Sequence, residues 1–228
     1  MKISQEFSKH AKEYGTYNLI QKKVIQKLLA DTQIKPKYIL DLGCGNGELC
    51  RTIDWKFKHF VGVDFAPKML ELHPKSKKIE AIYGDFNSET LFEYLSTYKF
   101  EYLFSASALQ WAEDLDKVFA NIVKLNLPFS LAIFTSGTFI TLNKTANLAP
   151  LLCSSSKIQS LQKKYFDAEF EVVNYTLEFE STREMFRYIK RSGVSGSRNI
   201  LGYKETKQLM KEYPLNYLEF EVAFIRSC

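Results

Sequence analysis

The spacing of hydrophobic positions changes several times along the chain, and each change marks an element. Residues 6–29 read as helix, because Phe7, Ala11, Tyr14, Asn18 and Gln21 recur at i, i+4, i+7 spacing and share one face. Beyond Pro36 the apolar residues gather into short runs. "YILDL" (Tyr38–Leu42), "HFVGVDF" (His59–Phe65), "IEAIYGDF" (Ile79–Phe86) and "FSLAIFTS" (Phe129–Ser136) read as buried strands. "FEYLFSASALQW" (Phe100–Trp111) begins as another and leaves it near Ser105. Helical stretches alternate with them: one from about Glu48, one at "MLELH", and one over Leu115–Asn126 with Leu115, Val118, Phe119, Ile122 and Val123 on one side. This alternation predicts an α/β fold with a parallel sheet and helices on both faces.

The pattern then weakens. Residues 137–167 read as short helices covering the carboxyl edge of the sheet, where open α/β sheets bind ligands. Phe170–Phe179 alternates through Val173, Tyr175, Leu177 and Phe179, and Tyr217–Ser227 alternates through Leu218, Phe220, Val222 and Phe224. Between them, "STREMFRYIKRSG" reads as a helix capped by Ser181 and ended by Gly193. The two late strands complete a seven-stranded, mostly parallel sheet with a terminal antiparallel pair. With no long linker, residues 1–228 form one domain, with a helical lid over about 6–30 and a substrate-side cover over about 137–167.

Composition narrows the class. A chain of 228 residues can bury a full core. It has no long apolar run and no apolar signal region near Met1, so a cytoplasmic protein without membrane spans is expected. Cys44, Cys50, Cys153 and Cys228 form no C-x-x-C pair and the three histidines are scattered, so the expectation is reduced thiols and no metal. The net charge is +5, and residues 181–212 carry eight basic against three acidic side chains. That stretch suits an acidic partner or anionic ligand, or is simply a solvated face. A phosphate-tracking surface usually needs a larger basic excess with interleaved aromatics, whereas these basic residues are read as one helix, which argues against nucleic acid.

The candidate chemistry starts at "LGCGNGEL". A strand that runs into a glycine loop and then a helix brings backbone close to a nucleotide-like ligand. Gly43, Gly45 and Gly47 alternate, and Glu48 stands where a dinucleotide fingerprint has its third glycine. A carboxylate there repels a pyrophosphate, so the ligand has no phosphates. Asp64 follows at the end of the second strand and can accept both ribose hydroxyls. Asp85, at the end of the third, can accept from an exocyclic amine, although it also suits a helix cap. Asp41 precedes the loop and can orient its amides or help hold an ammonium. A phosphate-free nucleoside bearing an ammonium describes S-adenosylmethionine.

"ILDLGCGNGEL", "VGVDFAPKML", "IYGDF" and "FSASALQW" resemble the successive motifs of the class I S-adenosylmethionine-dependent methyltransferases, over about residues 36–136. The resemblance implies their Rossmann-like seven-stranded fold and that cofactor. It implies that Gly43, Cys44, Gly45 and Gly47 back the methionine portion, with Ser105 near it. It places Asp64 on the ribose, Phe65 and Met69 beside the adenine, and Asp85 with Phe86 at the adenine edge. Met69 and Phe86 also suit core positions.

Three further segments, "FSKHAKEYGTYNLIQKKVIQKL", "LQWAEDL" and "STREMFRYIKRSGVSG", are similar to the malonyl-acyl-carrier-protein O-methyltransferases of biotin synthesis. "TSGTFITLNKTANL" matches that family only loosely. The resemblance implies a malonyl thioester on acyl carrier protein, or on coenzyme A, as acceptor. Such a carboxylate is ionised at neutral pH and needs no general base, and the sequence offers none. On this reading Tyr14 forms part of a lid against the sulfonium, and Gln21 helps fix the lid. Gln110 and Trp111 line the acceptor pocket. Arg183, Arg187 and Arg191, spaced i, i+4, i+8 with Lys190 beside them, supply one group for the malonyl carboxylate and others for the acidic carrier. Another small-molecule carboxyl or C-methyltransferase fits the same scaffold, as does a cofactor-binding protein without catalysis.

Overall fold

A computed structural model describes residues 18–191 and 202–227. Helix α1 (Leu19–Ala30) precedes β1 (Tyr38–Leu42), and α2 (Glu48–Thr52), β2 (His59–Asp64), α3 (Pro67–Leu72) and β3 (Ile79–Tyr83) follow. Then come α4 (Glu89–Leu95), β4 (Tyr102–Ala106), a 3-10 turn (Leu109–Trp111), α5 (Leu115–Lys124) and β5 (Phe129–Phe134). The remainder is α6 (Ile140–Thr145), α7 (Ser155–Tyr165), β6 (Ala168–Glu178), α8 (Thr182–Arg191), α9 (Tyr203–Glu212) and β7 (Tyr217–Ser227).

The seven strands form one sheet in the order β3-β2-β1-β4-β5-β7-β6. β1 to β5 are parallel, and β7 runs antiparallel to both β5 and β6. This is the expected doubly covered, Rossmann-like sheet with its antiparallel terminal pair. β1 lies between β2 and β4, so Ile39, Leu40 and Leu42 have apolar neighbours on both faces and are fully buried. One face is packed by α4, α5 and α7 and the other by α1, α2 and α8.

Most element boundaries agree with the hydrophobic pattern, but several strands stop early. Phe65, Gly84 to Phe86, and Thr135 to Ser136 have left the sheet. All three exits lie at the carboxyl edge, where local hydrogen bonds replace the ladder: Asp64 Oδ1 accepts the Ala66 N–H at 2.8 Å and Asp85 Oδ1 the Asn87 N–H at 2.9 Å. On α5, Val123 is exposed and Asn121 is buried, reversing the expected face at that turn. The Asn121 amide remains satisfied, because its Oδ1 accepts from Lys124 Nζ at 3.1 Å. The early helix is described from Leu19, and Asn18 and Gln21 are both buried on its inner face. The portion over residues 6–17, and Gly193, lie outside the described residues.

The stretch 137–167 divides into two parts. α6 lies at the carboxyl edge, where Phe139 N–H donates to the Glu219 carbonyl at 2.8 Å and Thr141 N–H to the Glu219 carboxylate at 3.0 Å. α7, in contrast, packs on a face of the sheet beside α5. Its Ile158 is fully buried, and Gln162 Nε2 donates to the carbonyls of Phe166 and Ala168 at 3.0 and 2.9 Å. Only the first part of the segment is therefore an edge cover. Helix α9 does not stand out in the hydrophobic pattern. Leu209 is its one buried side chain among the described residues, so its apolar stripe is too thin to read. The Glu205 carboxylate accepts the Gly202 N–H and caps its start.

The placement of α7 has a thermodynamic consequence. Ile158→Ala is expected to lower unfolding free energy by about 2–4 kcal/mol through cavity formation. Val123→Ala should change it by less than about 0.5 kcal/mol, as exposed positions do. Urea unfolding of the two variants checks the pair.

Candidate active site

The loop after β1 is shaped by its three glycines. Gly43, Gly45 and Gly47 have φ of 77°, 53° and 85°. Side chains resist this left-handed region by roughly 1–2 kcal/mol per residue. Space adds a second demand at two of them. A Cβ on Gly43 would stand 2.1 Å from Ala108 Cβ, and one on Gly47 2.4 Å from Pro74 Cδ. A Cβ on Gly45 would meet nothing within 4 Å, so that position faces open space. The loop is stapled to β2: Gly43 and Cys44 N–H donate to the Val63 carbonyl at 2.8 and 3.0 Å, and Gly45 N–H to Asp64 Oδ2 at 2.9 Å.

This geometry opens a cleft of about 680 Å³, continuous with solvent, over the carboxyl ends of β1, β2 and β4. It brings together Gln21, Asp41, Gly43, Cys44, Gly45, Asp64, Phe65, Met69, Phe86 and Trp111 from the sequence-derived set. Asn18, Ile25, Asn46, Glu48, Leu49, Ala106, Ser107 and Ala108 also line it and are not in that set. Gly47 shapes the loop from behind, against His73 and Pro74. Phe65 and Phe86 form one wall, with ring centroids 6.5 Å apart.

Several expected residues take other positions. Ser105 is fully buried and its hydroxyl donates to the Leu42 carbonyl at 2.7 Å, so it ties β4 to β1; Ser107 is the serine that lines the cleft. The Asp85 carboxylate accepts from the backbone and side-chain N–H groups of Asn87 at 2.9 and 2.8 Å, which makes it the cap of the turn before α4 and not a lining group. Gln110 lies behind Ser107, where its Nε2 donates to the Ser107 carbonyl at 2.6 Å. Arg183 and Arg187 are exposed on α8 and do not line the cleft. Met185 and Tyr188 turn inward on that helix, which fixes Arg183 and Arg187 outward. Tyr14 and the side chains of Lys190 and Arg191 lie outside the described residues.

The electrostatics of the cleft are dominated by buried acceptors. Asp41 is fully buried, and burial followed by the nearby Asp64 charge pushes its carboxyl up to about 8. Asp64 is raised to about 6 by burial, against the lowering effect of the Ala66, Gly45 and Phe65 N–H groups. Burial also raises both thiols, Cys50 to about 12 and Cys44 well above its ordinary value, so neither is a nucleophile at neutral pH. Asn18 Oδ1, Gln21 Oε1, Asp41 Oδ2 and Ser107 Oγ have no hydrogen-bond partner among the described residues. No lysine or arginine lines the cleft among those residues. Such a site suits a ligand that donates hydrogen bonds and carries positive charge, and it disfavours a phosphate. An adenosyl group with an ammonium fits it: the free acceptors face the donor end, and the Phe65–Phe86 wall offers apolar surface for a base.

Asn18 and Ser107 could have been sought differently. Asn18 stands three residues before Gln21 on the apolar face of α1, and a polar pair on a buried face is a signal in itself. Ser107 gives no such signal, since its exposure to the cleft follows from a left-handed φ of 62° that a serine does not announce.

The raised carboxyls predict a pH dependence. The folded chain keeps protons that the unfolded chain releases near pH 4, so these groups favour folding most in acid. That contribution is lost as pH rises through about 6 for Asp64 and about 8 for Asp41. In the ligand-free protein, the urea midpoint of Asp41→Asn should fall less than that of the wild type between about pH 6 and about pH 8. Parallel curves would show that Asp41 is not the group holding the proton.

Comparison with known proteins completes the picture. Residues 39–128 match the family model described as a methyltransferase domain. The malonyl-[acyl-carrier protein] O-methyltransferase of Halorhodospira halophila is 23% identical over 215 residues, covering 86% of this chain and 72% of the relative. The protein of the same name from Acetivibrio thermocellus is 26% identical over 242 residues, covering 92% of this chain and 85% of the relative. Among solved structures, the YcgJ protein of Bacillus subtilis superposes with a TM-score of 0.62 at 13% identity, over 90% of this chain and 99% of that one. Residues 39–128 thus match a methyltransferase domain, within a seven-stranded fold that the chain shares with the solved structure.

Proposed function

We propose that this protein is an O-methyltransferase that esterifies the free carboxylate of a malonyl thioester on acyl carrier protein, an early step of biotin synthesis. The observation that carries the methyl donor is the cleft of acceptors that have no partner, and no cation beside them, among the described residues. The acceptor is supported by relatives named for that reaction, which align with most of this chain.

In this reading the Gly43–Gly47 loop, Asp41, Asn18 and Gln21 hold the methionine end of the cofactor, Asp64 the ribose, and Phe65, Met69 and Phe86 the base. When bound, S-adenosylmethionine supplies an electrophilic methyl on a sulfonium. The acceptor carboxylate is already an anion at neutral pH, so no residue has to remove a proton. The protein acts by orientation and by keeping water out. Trp111 and Ser107 bound the side of the cleft where an acceptor enters, and Gln110 fixes the Ser107 backbone. Arg183 and Arg187, exposed on α8, suit docking of an acidic carrier better than direct contact with the malonyl group.

The decisive experiment is mass spectrometry of malonyl carrier protein incubated with enzyme and S-adenosylmethionine. The expected product gains one methyl group. No gain on the carrier or on malonyl-coenzyme A would refute the acceptor. Two variants probe the parts separately. Asp64→Ala should weaken cofactor binding by roughly tenfold or more, since it removes charge-assisted hydrogen bonds. Arg183→Ala with Arg187→Ala should raise the KM for the carrier substrate severalfold while cofactor affinity, read by calorimetry, stays at the wild-type value.

A further inference from the structure

The edge of the sheet opposite the cleft carries an unassigned surface. Because β1 to β4 are parallel, the loops that enter them all lie at that amino edge. Lys35 and Lys37 precede β1, Lys56 and Lys58 precede β2, and Lys77 and Lys78 precede β3. All six are exposed. Backbone bonds hold the loops side by side: Lys58 N–H donates to the Lys37 carbonyl and Phe60 N–H to the Lys78 carbonyl, both at 2.8 Å.

These lysines differ from the ion-paired ones elsewhere on the chain. Lys27, Lys117, Lys124 and Lys164 each have a carboxylate within 4 Å. None of the six does among the described residues. Of the nearby carboxylates, Asp54 is exposed in the same loop as Lys56, and two others are engaged otherwise. Glu101 accepts the Lys37 backbone N–H at 2.6 Å, and Glu80 accepts from the Tyr98 hydroxyl at 3.3 Å and lies 3.7 Å from His59 Nε2. A basic surface of this kind favours an anionic partner.

Aromatic rings interleave with the lysines, as in "WKFKH" and "YKF". His59, Tyr98 and Phe100 form one near-parallel column: His59 and Tyr98 at 6.3 Å and 15°, Tyr98 and Phe100 at 5.3 Å and 6°. The column ends at His59, whose side chain is 33% exposed. Such a stack offers a base a π-face to extend. The neighbouring Trp55 and Phe57 are held by the fold, through the indole N–H on the Pro36 carbonyl at 3.0 Å and a ring pairing with Phe60 at 5.9 Å. They are not free to insert into a lipid surface.

We propose that the amino edge binds single-stranded nucleic acid, with phosphates on the lysines and a base on the His59 end of the ring column. The five- and six-residue strands β1 and β2 put this surface roughly 17–20 Å from the cleft at about 3.3 Å per residue. A strand bound there is therefore not the methyl acceptor. The basic stretch of α8, which argued against nucleic acid, is not involved.

The test is fluorescence anisotropy of labelled oligouridylate and oligothymidylate with the full chain across a salt series. Binding is expected at low salt and should weaken steeply as salt rises. Lys56→Glu/Lys58→Glu/Lys77→Glu should lower affinity at least tenfold and flatten the log–log salt slope by about 2, at roughly 0.7 for each phosphate no longer neutralised. His59→Ala should lower it by about tenfold through weaker stacking. Calorimetric S-adenosylmethionine affinity should stay at the wild-type value in both, which also reports that they are folded. The control Lys157→Glu/Lys163→Glu, on exposed positions of α7, should bind as the wild type does. The proposal is overturned if neither oligonucleotide binds, if the control weakens binding as much as the triple variant, or if the protein instead sediments only with anionic phospholipid vesicles.

Discussion

Three successive N–H groups of one loop, those of Gly43, Cys44 and Gly45, turn towards the end of β2, where the Val63 carbonyl and the Asp64 carboxylate accept them. This attachment is the constraint on which the cleft depends. It forces the left-handed φ values of the loop and sets Gly45 over open space. It also makes Asp64 serve the loop on one oxygen and the Ala66 N–H on the other. A carboxylate fixed by two backbone donors cannot swing away, so the floor of the site is rigid before any ligand arrives. Pre-organisation of this kind lowers the ordering cost of binding.

The same constraint makes the cleft unstable in its own chemistry. Holding Asp41 and Asp64 behind one loop places two acids where water reaches them poorly. The cost is relieved by a proton, which is why both carboxyls are shifted upwards. A ligand that brings positive charge would supply what the proton now supplies. Binding and proton release are then linked. The site thus selects for a cationic group by leaving Asp41 Oδ2 without a partner among the described residues, where no positively charged side chain lines the cleft to compete.

The parts legible in the sequence were those set by period and by glycine. The five parallel strands and the terminal pair followed from apolar runs and alternation, and the loop followed from glycines whose φ no other residue adopts cheaply. Hidden parts were those decided by a single local bond. Asp85 suited either a ligand or a cap, and Asn87 two residues on decided for the cap. Ser105 and Ser107 are alike as residues, but one hydroxyl is used by the Leu42 carbonyl and the other is left in the cleft. Arg183 and Arg187 had the right spacing for a joint face, but the spacing alone does not say which face a helix buries. Met185 and Tyr188 decide that.

The two ends of the sheet now have opposite character, with buried acids at the carboxyl edge and exposed lysines at the amino edge. Whether they influence each other is a question of screening. The lysines are exposed, and a separation of roughly 17–20 Å exceeds the Debye length of about 8 Å at physiological salt. Their field is therefore largely screened before it reaches Asp41 or Asp64, whose shifts come first from burial. The parallel sheet keeps the two surfaces apart for the same reason that it creates them. The loops entering β1 to β5 fall on one edge and those leaving them on the other, so charge placed for one purpose does not disturb the other.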